Sequence, residues 1–184
     1  GVHCEVVLDG TYYGVYILSE RVRQGANRLN IPKPGNSGDE LTGGYHVEVD
    51  RDDEVVYTSN YNPQYSWGAS MINKKISFQY KYPEFGDLTN EQKVYLHGQI
   101  NKFENSLAAS NYQDKQEGYR KYLDVTSFID YMLSTEFARN VDGYRLSTNL
   151  YKHRDSVDPR FKMSLWDFNL GFGNANYNDG WNAQ

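Results

Sequence analysis

Cysteine and long apolar runs are scarce in this chain. Cys4 is the single cysteine among 184 residues, so no intrachain disulfide can form. No apolar run approaches the roughly 20 residues that a membrane-spanning helix needs. The net charge is −5 and the basic residues form no run, which argues against a nucleic-acid partner. We therefore expect neither a disulfide scaffold, nor a membrane span, nor a nucleic-acid-binding protein.

The composition is that of a globular protein with many tyrosines. Hydrophobic residues make up 39 % and charged residues 23 % of the chain, which separates it from disordered sequences. Its 17 tyrosines suit half-exposed strands and interface surfaces. The length predicts a single domain over residues 1–184, sheet-rich in about 1–85 and helical in about 86–184. Because a strand pattern begins at Glu5, we expect this domain to be truncated at its amino terminus.

Alternating apolar residues and turn signals predict the strands. The first two form a hairpin around Asp9-Gly10, a pair that favours a tight turn. Both faces of this hairpin are largely apolar, so we expect it to be covered on both sides. A long loop over residues 23–42 separates it from the remaining strands. The predicted strands are residues 4–8, 12–19, 45–50, 55–58, 76–82, 149–153 and 161–166.

Two helices are predicted in the second half. Thr89 and Gln92 have the spacing of a capping box, and the apolar stripe that follows predicts a helix over about residues 90–109. A second helix, about 126–139, is expected to bury Phe128, Ile129, Met132, Leu133 and Phe137. The order of elements predicts an α+β fold, in which an amino-terminal antiparallel sheet precedes a mainly helical half that carries a small sheet.

Two acidic signatures near the carboxyl end suggest a function. Residues 140–149 read Asn-Val-Asp-Gly-Tyr-Arg-Leu-Ser-Thr-Asn, and residues 166–174 read Trp-Asp-Phe-Asn-Leu-Gly-Phe-Gly-Asn. Each places a carboxylate, Asp142 or Asp167, where a regular element gives way to loop, with an amide close behind. Phosphoryl transfer uses one carboxylate to orient the attacking hydroxyl and another, with an amide, to hold the metal. We expect Asp142 and Asp167 to face one cavity. The two carboxyl groups on opposite sides of the molecule, or either of them sealed inside an arginine pair, would rule out the site.

Four ordered segments carry a family resemblance. Residues 9–20 read Asp-Gly-x-Tyr-Tyr-Gly-Val-Tyr-x-x-x-Glu, residues 43–50 Gly-Gly-Tyr-x-x-Glu-x-Asp, residues 140–143 Asn-x-Asp-Gly, and residues 166–173 Trp-Asp-x-Asn-x-x-x-Gly. Together they resemble the spore-coat protein H (CotH) kinase family. The resemblance implies an atypical protein-kinase-like fold and protein Ser/Thr phosphorylation with ATP and Mg²⁺ or Mn²⁺. It also implies a Ser/Thr-rich coat or surface protein as substrate, and a secreted or cell-surface bacterial location such as the spore coat.

The same resemblance assigns roles to residues. Asp142 corresponds to the loop carboxylate needed for transfer, and Asp167 to the metal-binding carboxylate, with Asn149 and Asn169 as candidate amide ligands. Many members have Asp where this chain has Asn169, which removes one negative charge from the metal site. Glu20 and Glu48 are implied at the nucleotide site.

A phosphate-binding cation is also required. In the family a lysine-bearing segment lies upstream of the hairpin, before the start of this chain, so Lys74, or alternatively Lys33 or Lys75, would have to substitute. Glu136, beside the apolar stripe of its helix, is expected to form a structural pair, for instance with Arg145.

Two other functions remain open at this stage. The domain could be a non-catalytic secreted interaction module of the same fold, binding glycans through its tyrosines. It could also be a metal-dependent hydrolase of phosphate esters that uses the same carboxylates with water as the nucleophile.

Overall fold

The computed structural model describes residues 1–51, 56–61 and 76–175. Its strands are β1 (Val2–Leu8), β2 (Thr11–Leu18), β3 (Tyr45–Val49), β4 (Val56–Thr58), β5 (Ser77–Tyr82), β6 (Thr148–Lys152) and β7 (Phe161–Ser164). Its helices are α1 (Gly38–Leu41), α2 (Asn90–Ala108) and α3 (Val125–Ala138), with 3₁₀ turns at Phe85–Asp87 and Tyr119–Lys121. The predicted α+β class is confirmed, and α1 lies within the long loop predicted between β2 and β3.

The sheet differs from the predicted arrangement. β3 to β7 form one five-stranded antiparallel sheet in the order β4-β5-β3-β6-β7, so β6 and β7 are not a small sheet of their own. The hairpin β1-β2, in turn, is a separate two-stranded sheet. Sequence pattern alone could not assign these pairings, because β3 lies between β5 and β6, and β6 is about a hundred residues away along the chain.

The two faces of the five-stranded sheet have opposite character. Side chains alternate along β3, so Tyr45, Val47 and Val49 face one side and His46 and Glu48 face the other. The first face packs against α2 and α3 in a core that includes Leu96, Ile100, Phe103 and Leu150. The second face, called the polar face below, carries His46, Glu48, Gln79 and Asn149, all buried.

Helix α2 begins and packs as predicted. The Thr89 hydroxyl accepts from the backbone N–H of Gln92 at 3.3 Å, and the Thr89 backbone N–H donates to the Gln92 side chain at 3.1 Å, which completes the capping box. Leu96, Ile100 and Phe103 are buried against the sheet. Leu107, the last member of the predicted stripe, is half exposed because it lies in the final turn of the helix.

Helix α3 packs through a different face from the one predicted. Tyr131, Thr135 and Ala138 are buried, whereas Ile129, Met132, Leu133 and Phe137 are exposed, Phe137 to 81 %. Of the other predicted residues, Phe128 packs against the core as expected. Ile129 and Met132 line an apolar cavity between the sheet and the helices, and Leu133 and Phe137 are the most exposed of the five.

The hairpin also departs from expectation. Val2, Val15, Ile17 and Leu18 are each more than 60 % exposed, so neither face is covered as predicted. The strands β1 and β2 pair along their length, with a bulge between Val6 and Val7, and pack mainly against each other. The turn at Asp9-Gly10 has positive φ at both residues, as the sequence predicts.

Candidate phosphoryl-transfer site

One amide side chain joins the two acidic signatures. Asn140 follows the end of α3, and its Nδ2 donates to the backbone oxygen of Asp167 at 3.3 Å. Its Oδ1 accepts from the backbone N–H of Asp142 at 3.4 Å. Gly143 allows the loop to lie against α3, because a Cβ at this position would collide with Thr135. The fold therefore brings the two signature loops together.

Two carboxylates converge on the hydroxyl of Ser147. Ser147 Oγ lies 3.3 Å from Oδ2 of Asp50 and 3.2 Å from Oδ2 of Asp167, and the Ser147 backbone N–H also donates to Asp50 at 3.2 Å. The two carboxylate oxygens therefore cannot be farther apart than these side-chain distances laid end to end, about 6.5 Å. Since one hydroxyl carries one proton, Ser147 can donate to only one carboxylate at a time.

Backbone strain accompanies this convergence. Tyr144, Ser147 and Asp167 all have positive φ, at 71°, 49° and 58°, a region that side chains other than glycine rarely occupy. Such conformations cost free energy and often occur at functional sites, where the surrounding contacts hold them in place. Here Tyr144 and Ser147 belong to the loop that carries Asp142, and the third strained residue is Asp167 itself.

Asp142 itself is held in an ion pair. Its Oδ1 lies 3.1 Å from Nη2 of Arg145, and the Asp142 side chain is 14 % exposed. An arginine pair was expected to rule out the site if it sealed the carboxylate. Asp142 forms such a pair and keeps only this exposed fraction, so an incoming hydroxyl would have to share the carboxylate with Arg145 or displace it. The prediction that Glu136 pairs with Arg145 is wrong, because Glu136 instead accepts from the hydroxyl of Tyr144 at 2.7 Å.

Glu48 lies at the centre of a network on the polar face. Its Oε1 accepts from Asn149 Nδ2 at 3.1 Å, and its Oε2 pairs with Nζ of Lys81 at 2.9 Å. Asn149 also donates to the backbone oxygen of Ser147 at 3.1 Å, and its Oδ1 lies 2.7 Å from Nε2 of His46. The Asn149 side chain thus connects Glu48 to the loop of Ser147, and it would have to release His46 to bind a metal through Oδ1.

Glu20, Asn169 and Lys33 were also predicted at the site. Glu20 is 73 % exposed and pairs with Arg28 at 3.3 Å, on the segment that follows β2. Asn169 is exposed and its backbone oxygen accepts from Asn174. Lys33 is exposed, while Lys74 and Lys75 lie outside the described residues. Their roles stay predictions.

Sequence reasoning missed Ser147 and Lys81. It considered Asp50, which ends the segment of residues 43–50 on the same strand face as Glu48, only as a weaker candidate than Glu48. Nothing local identifies Ser147 or Lys81, since each acquires its significance from strands that are distant in sequence.

The donor set suits a hard divalent cation. Across residues 1–51, 56–61 and 76–175, no cluster of three or more His, Cys, Asp or Glu side chains has metal-binding geometry. Mg²⁺, however, is commonly bound by one or two carboxylates together with substrate phosphates and several waters. Asp50 and Asp167 supply two such carboxylates beside one hydroxyl, so the residues present fit Mg²⁺.

An apolar cavity of about 610 Å³ lies on the opposite face of the sheet. It is bounded by Val49, Phe78 and Leu150 of the sheet, by α2 and by α3. Because Glu48 and Asn149 face away from it, the acidic residues and this cavity are separated by the sheet itself. A nucleotide that contacts Asp50 and Asp167 would therefore lie at the edge of the polar face and not in this cavity.

Comparison with known proteins gives the family of this α+β domain. Residues 2–184 match the family model described as CotH kinase protein. The chain therefore belongs to the CotH kinase family, as its sequence motifs indicate. Searches among curated proteins and among solved structures gave no match. Within the described part of the chain, no helix is long and apolar enough to cross a membrane.

Proposed function

We propose that this chain is an atypical protein-kinase-like domain that transfers the γ-phosphate of ATP to a protein serine or threonine hydroxyl. The observation that carries the proposal is the convergence of Asp50 and Asp167 on Ser147, in the loop that also holds Asp142. Membership of the CotH kinase family supports it. Phosphoryl transfer depends mainly on positioning and on charge stabilisation, and this arrangement offers residues for both.

Asp167 and Asp50 would hold the divalent cation, either Mg²⁺ or Mn²⁺. When bound, this cation neutralises the charge that develops on the phosphates. Asn149 or Asn169 remains the candidate amide ligand. Ser147 keeps the two carboxylates close to each other before the cation binds, because its backbone N–H donates to Asp50 while its hydroxyl donates to Asp167.

Asp142 would orient the acceptor hydroxyl. Its carboxylate accepts the hydrogen bond of the incoming serine or threonine and directs that oxygen towards the γ-phosphate. Arg145 fixes the orientation of the carboxylate, and it must share or yield Oδ1 when the hydroxyl arrives. Glu48, on the polar face, and Glu20, on the segment after β2, would belong to the nucleotide side of the site.

We further propose that the acceptor is a Ser/Thr-rich coat or surface protein and that the domain acts outside the bacterial cell or on its surface. The family supports a protein substrate, and no residue of the described site selects among such proteins. The tyrosine-rich composition is compatible with a surface that binds another protein.

The first prediction concerns the two aspartates. The purified chain is incubated with γ-labelled ATP, Mg²⁺ or Mn²⁺, and a Ser/Thr-rich protein acceptor, and protein-bound label is measured. We expect D142N and D167N to reduce transfer by about 100-fold or more, because each removes a carboxylate that acts only with substrate bound. D130N, at an exposed aspartate of α3, is the matched control and should retain activity.

Four outcomes would contradict the proposal or a part of it. Absence of label from every acceptor and from the chain itself would exclude kinase activity under these conditions. ATP binding without transfer would indicate a non-catalytic module, and release of free phosphate without labelled protein would indicate a hydrolase. Equal activity in D142N and wild type would remove Asp142 from the mechanism.

A further inference from the structure

Lys81 is fixed in place by a buried carboxylate. Its Nζ lies 2.9 Å from Oε2 of Glu48, whose side chain is 9 % exposed. Glu48 is itself held from the other side by Asn149, through Oε1. A buried carboxylate is costly unless it is paired and hydrogen-bonded, and here both of its oxygens are engaged. The position of the Lys81 ammonium is therefore determined by the sheet.

A bulge in β5 contributes to this position. His46 is opposite Tyr82 and Val47 is opposite Tyr80, so Lys81 is the extra residue between them. Bulges bend a strand and redirect the side chain of the extra residue, and they are common next to active sites. Lys81 follows Gln79 by two residues, so strand alternation already places it on the polar face, where Glu48 lies, and the bulge leaves it without a partner residue in β3.

Lys81 nevertheless remains partly open to solvent. Its side chain is 27 % exposed. An ammonium group has three N–H donors, and Glu48 accepts one of them. An anion-binding lysine needs both a fixed position and an accessible donor, and Lys81 has both.

The pair is continuous with the acidic residues. Glu48 contacts Asn149, Asn149 contacts the backbone of Ser147, and Ser147 contacts Asp50 and Asp167. Glu48 and Asp50 alternate onto one face of the chain, with Cα atoms about 7 Å apart. That separation is within the length of a nucleotide's phosphate chain. One cation and two carboxylates therefore lie along a single strip of the polar face.

We propose that Lys81 binds the phosphates of the nucleotide, and that Glu48 is the residue that positions it. This inference rests on the proposed function. It makes Lys81 the phosphate-binding cation, a role for which the sequence analysis considered Lys74, Lys33 or Lys75. Because His46, Glu48 and Asn149 are themselves buried, the nucleotide lies along the solvent-open edge of the polar face, with its phosphates between Lys81 and the carboxylates of Asp50 and Asp167. Negative charge on the phosphates is balanced by Lys81 at one end and by the divalent cation at the other.

The test separates phosphate binding from nucleoside binding. Affinities of ATP, ADP and adenosine are measured by calorimetry with Mg²⁺ for wild type, K81Q, K81R, E48Q and K162A. We expect K81Q to lower the affinities for ATP and ADP by about 10-fold or more, which is the effect of one lost charge-assisted hydrogen bond. The affinity for adenosine should change by less than about 2-fold. K81R should recover part of the lost ATP affinity. E48Q should also lower the ATP affinity, because Lys81 is no longer held by a carboxylate.

Lys162 provides a matched control. It also belongs to the sheet, pairs with the carboxylate of Asp158 at 3.0 Å, and is 33 % exposed. K162A should therefore bind all three ligands like wild type. Equal losses for adenosine and ATP in K81Q would assign Lys81 to structure alone, and unchanged ATP affinity would overturn the inference while leaving the proposed function intact. If wild type binds no nucleotide, both proposals fall.

A second measurement needs no variant. The wild-type chain is treated with an amine-acetylating reagent, and the modification of Lys81 and Lys162 is compared by mass spectrometry. We expect Mg-ADP to slow acetylation of Lys81 several-fold and adenosine to have little effect, while Lys162 reacts at the same rate throughout. Acetylation of Lys81 that is indifferent to ADP would overturn the inference even if K81Q fails to fold.

Discussion

The side chain of His46 is enclosed within the polar face, with 1 % of its surface exposed. Asn149 presents its amide oxygen to Nε2 at 2.7 Å, so this nitrogen carries the proton and donates. Nδ1 has no hydrogen-bond partner within residues 1–51, 56–61 and 76–175. Burial lowers the pKa of His46, and the positive charges of Lys81 and Arg21 lower it further, against the opposing effects of Asn149 and Glu48. The ring is therefore neutral at pH 7.

Stability should fall in mild acid because of His46. Its pKa in the folded protein lies below the ordinary value of 6.5, so the unfolded chain binds more protons once the pH falls below about 6.5. The free energy of unfolding then decreases as pH falls, by at most about 1.4 kcal/mol per pH unit for one group. Urea unfolding of wild type and H46Q at pH 7.5 and 5.5 measures this dependence.

We expect H46Q to have the smaller loss between the two pH values. H3Q, on the exposed hairpin, is the control and should keep the wild-type dependence. An H46Q variant that loses as much stability as wild type would show that His97 and His153, whose pKa values are also lowered by burial, account for the acid sensitivity.

At the level of elements, β3 organises the site. It lies between β5 and β6, and every residue of the strand is buried. The strand starts after Gly44, which has a φ of 97° and where a Cβ would collide with the backbone of Pro32. A Cβ at Gly43 would likewise collide with the backbone of His153 and Arg154, so the chain approaches closely at both glycines. In the segment of residues 43–50, the two glycines thus allow the chain to enter the strand. Glu48 pairs with Lys81, and Asp50 contacts Ser147.

Helix α2 depends on its amino-terminal cap. The Thr89 side chain and the Gln92 side chain satisfy each other's backbone N–H groups. We expect T89A to lower the free energy of unfolding by about 1 kcal/mol, because one of these N–H groups loses its acceptor. Chemical denaturation measures the change, and T126A, an exposed threonine in the first turn of α3, should alter stability by less than about 0.5 kcal/mol. Equal effects of the two substitutions would mean that the cap contributes nothing specific.

The whole molecule has a well-packed sheet and an exposed hairpin. The five-stranded sheet and its two long helices bury a common core. In contrast, β1 and β2 pack mainly against each other, and a two-stranded hairpin alone is marginally stable in water. Local stability should therefore differ strongly between the two parts.

Hydrogen exchange would reveal this difference. We expect the hydrogen-bonded amides of β1 and β2 to exchange about 100-fold or more faster than those of β3, because the hairpin opens without disrupting the core. Native-state exchange followed by mass spectrometry or NMR measures the rates, with β6 as the protected reference. Equal protection of the hairpin and β3 would contradict this view and indicate that another surface covers the hairpin.

Local patterns in the chain were enough to define its elements and its family. The capping box, the alternation in β3 and the turn at Asp9-Gly10 depend on neighbouring residues, and all were predicted. The family motifs are similarly local. In contrast, the exposure of Leu133 and Phe137, the pairing of β6 with β3, and the ion pair between Lys81 and Glu48 depended on contacts between distant parts of the chain. A periodic pattern identifies a helix or a strand. Which face of that element is buried depends on the other elements against which it can pack.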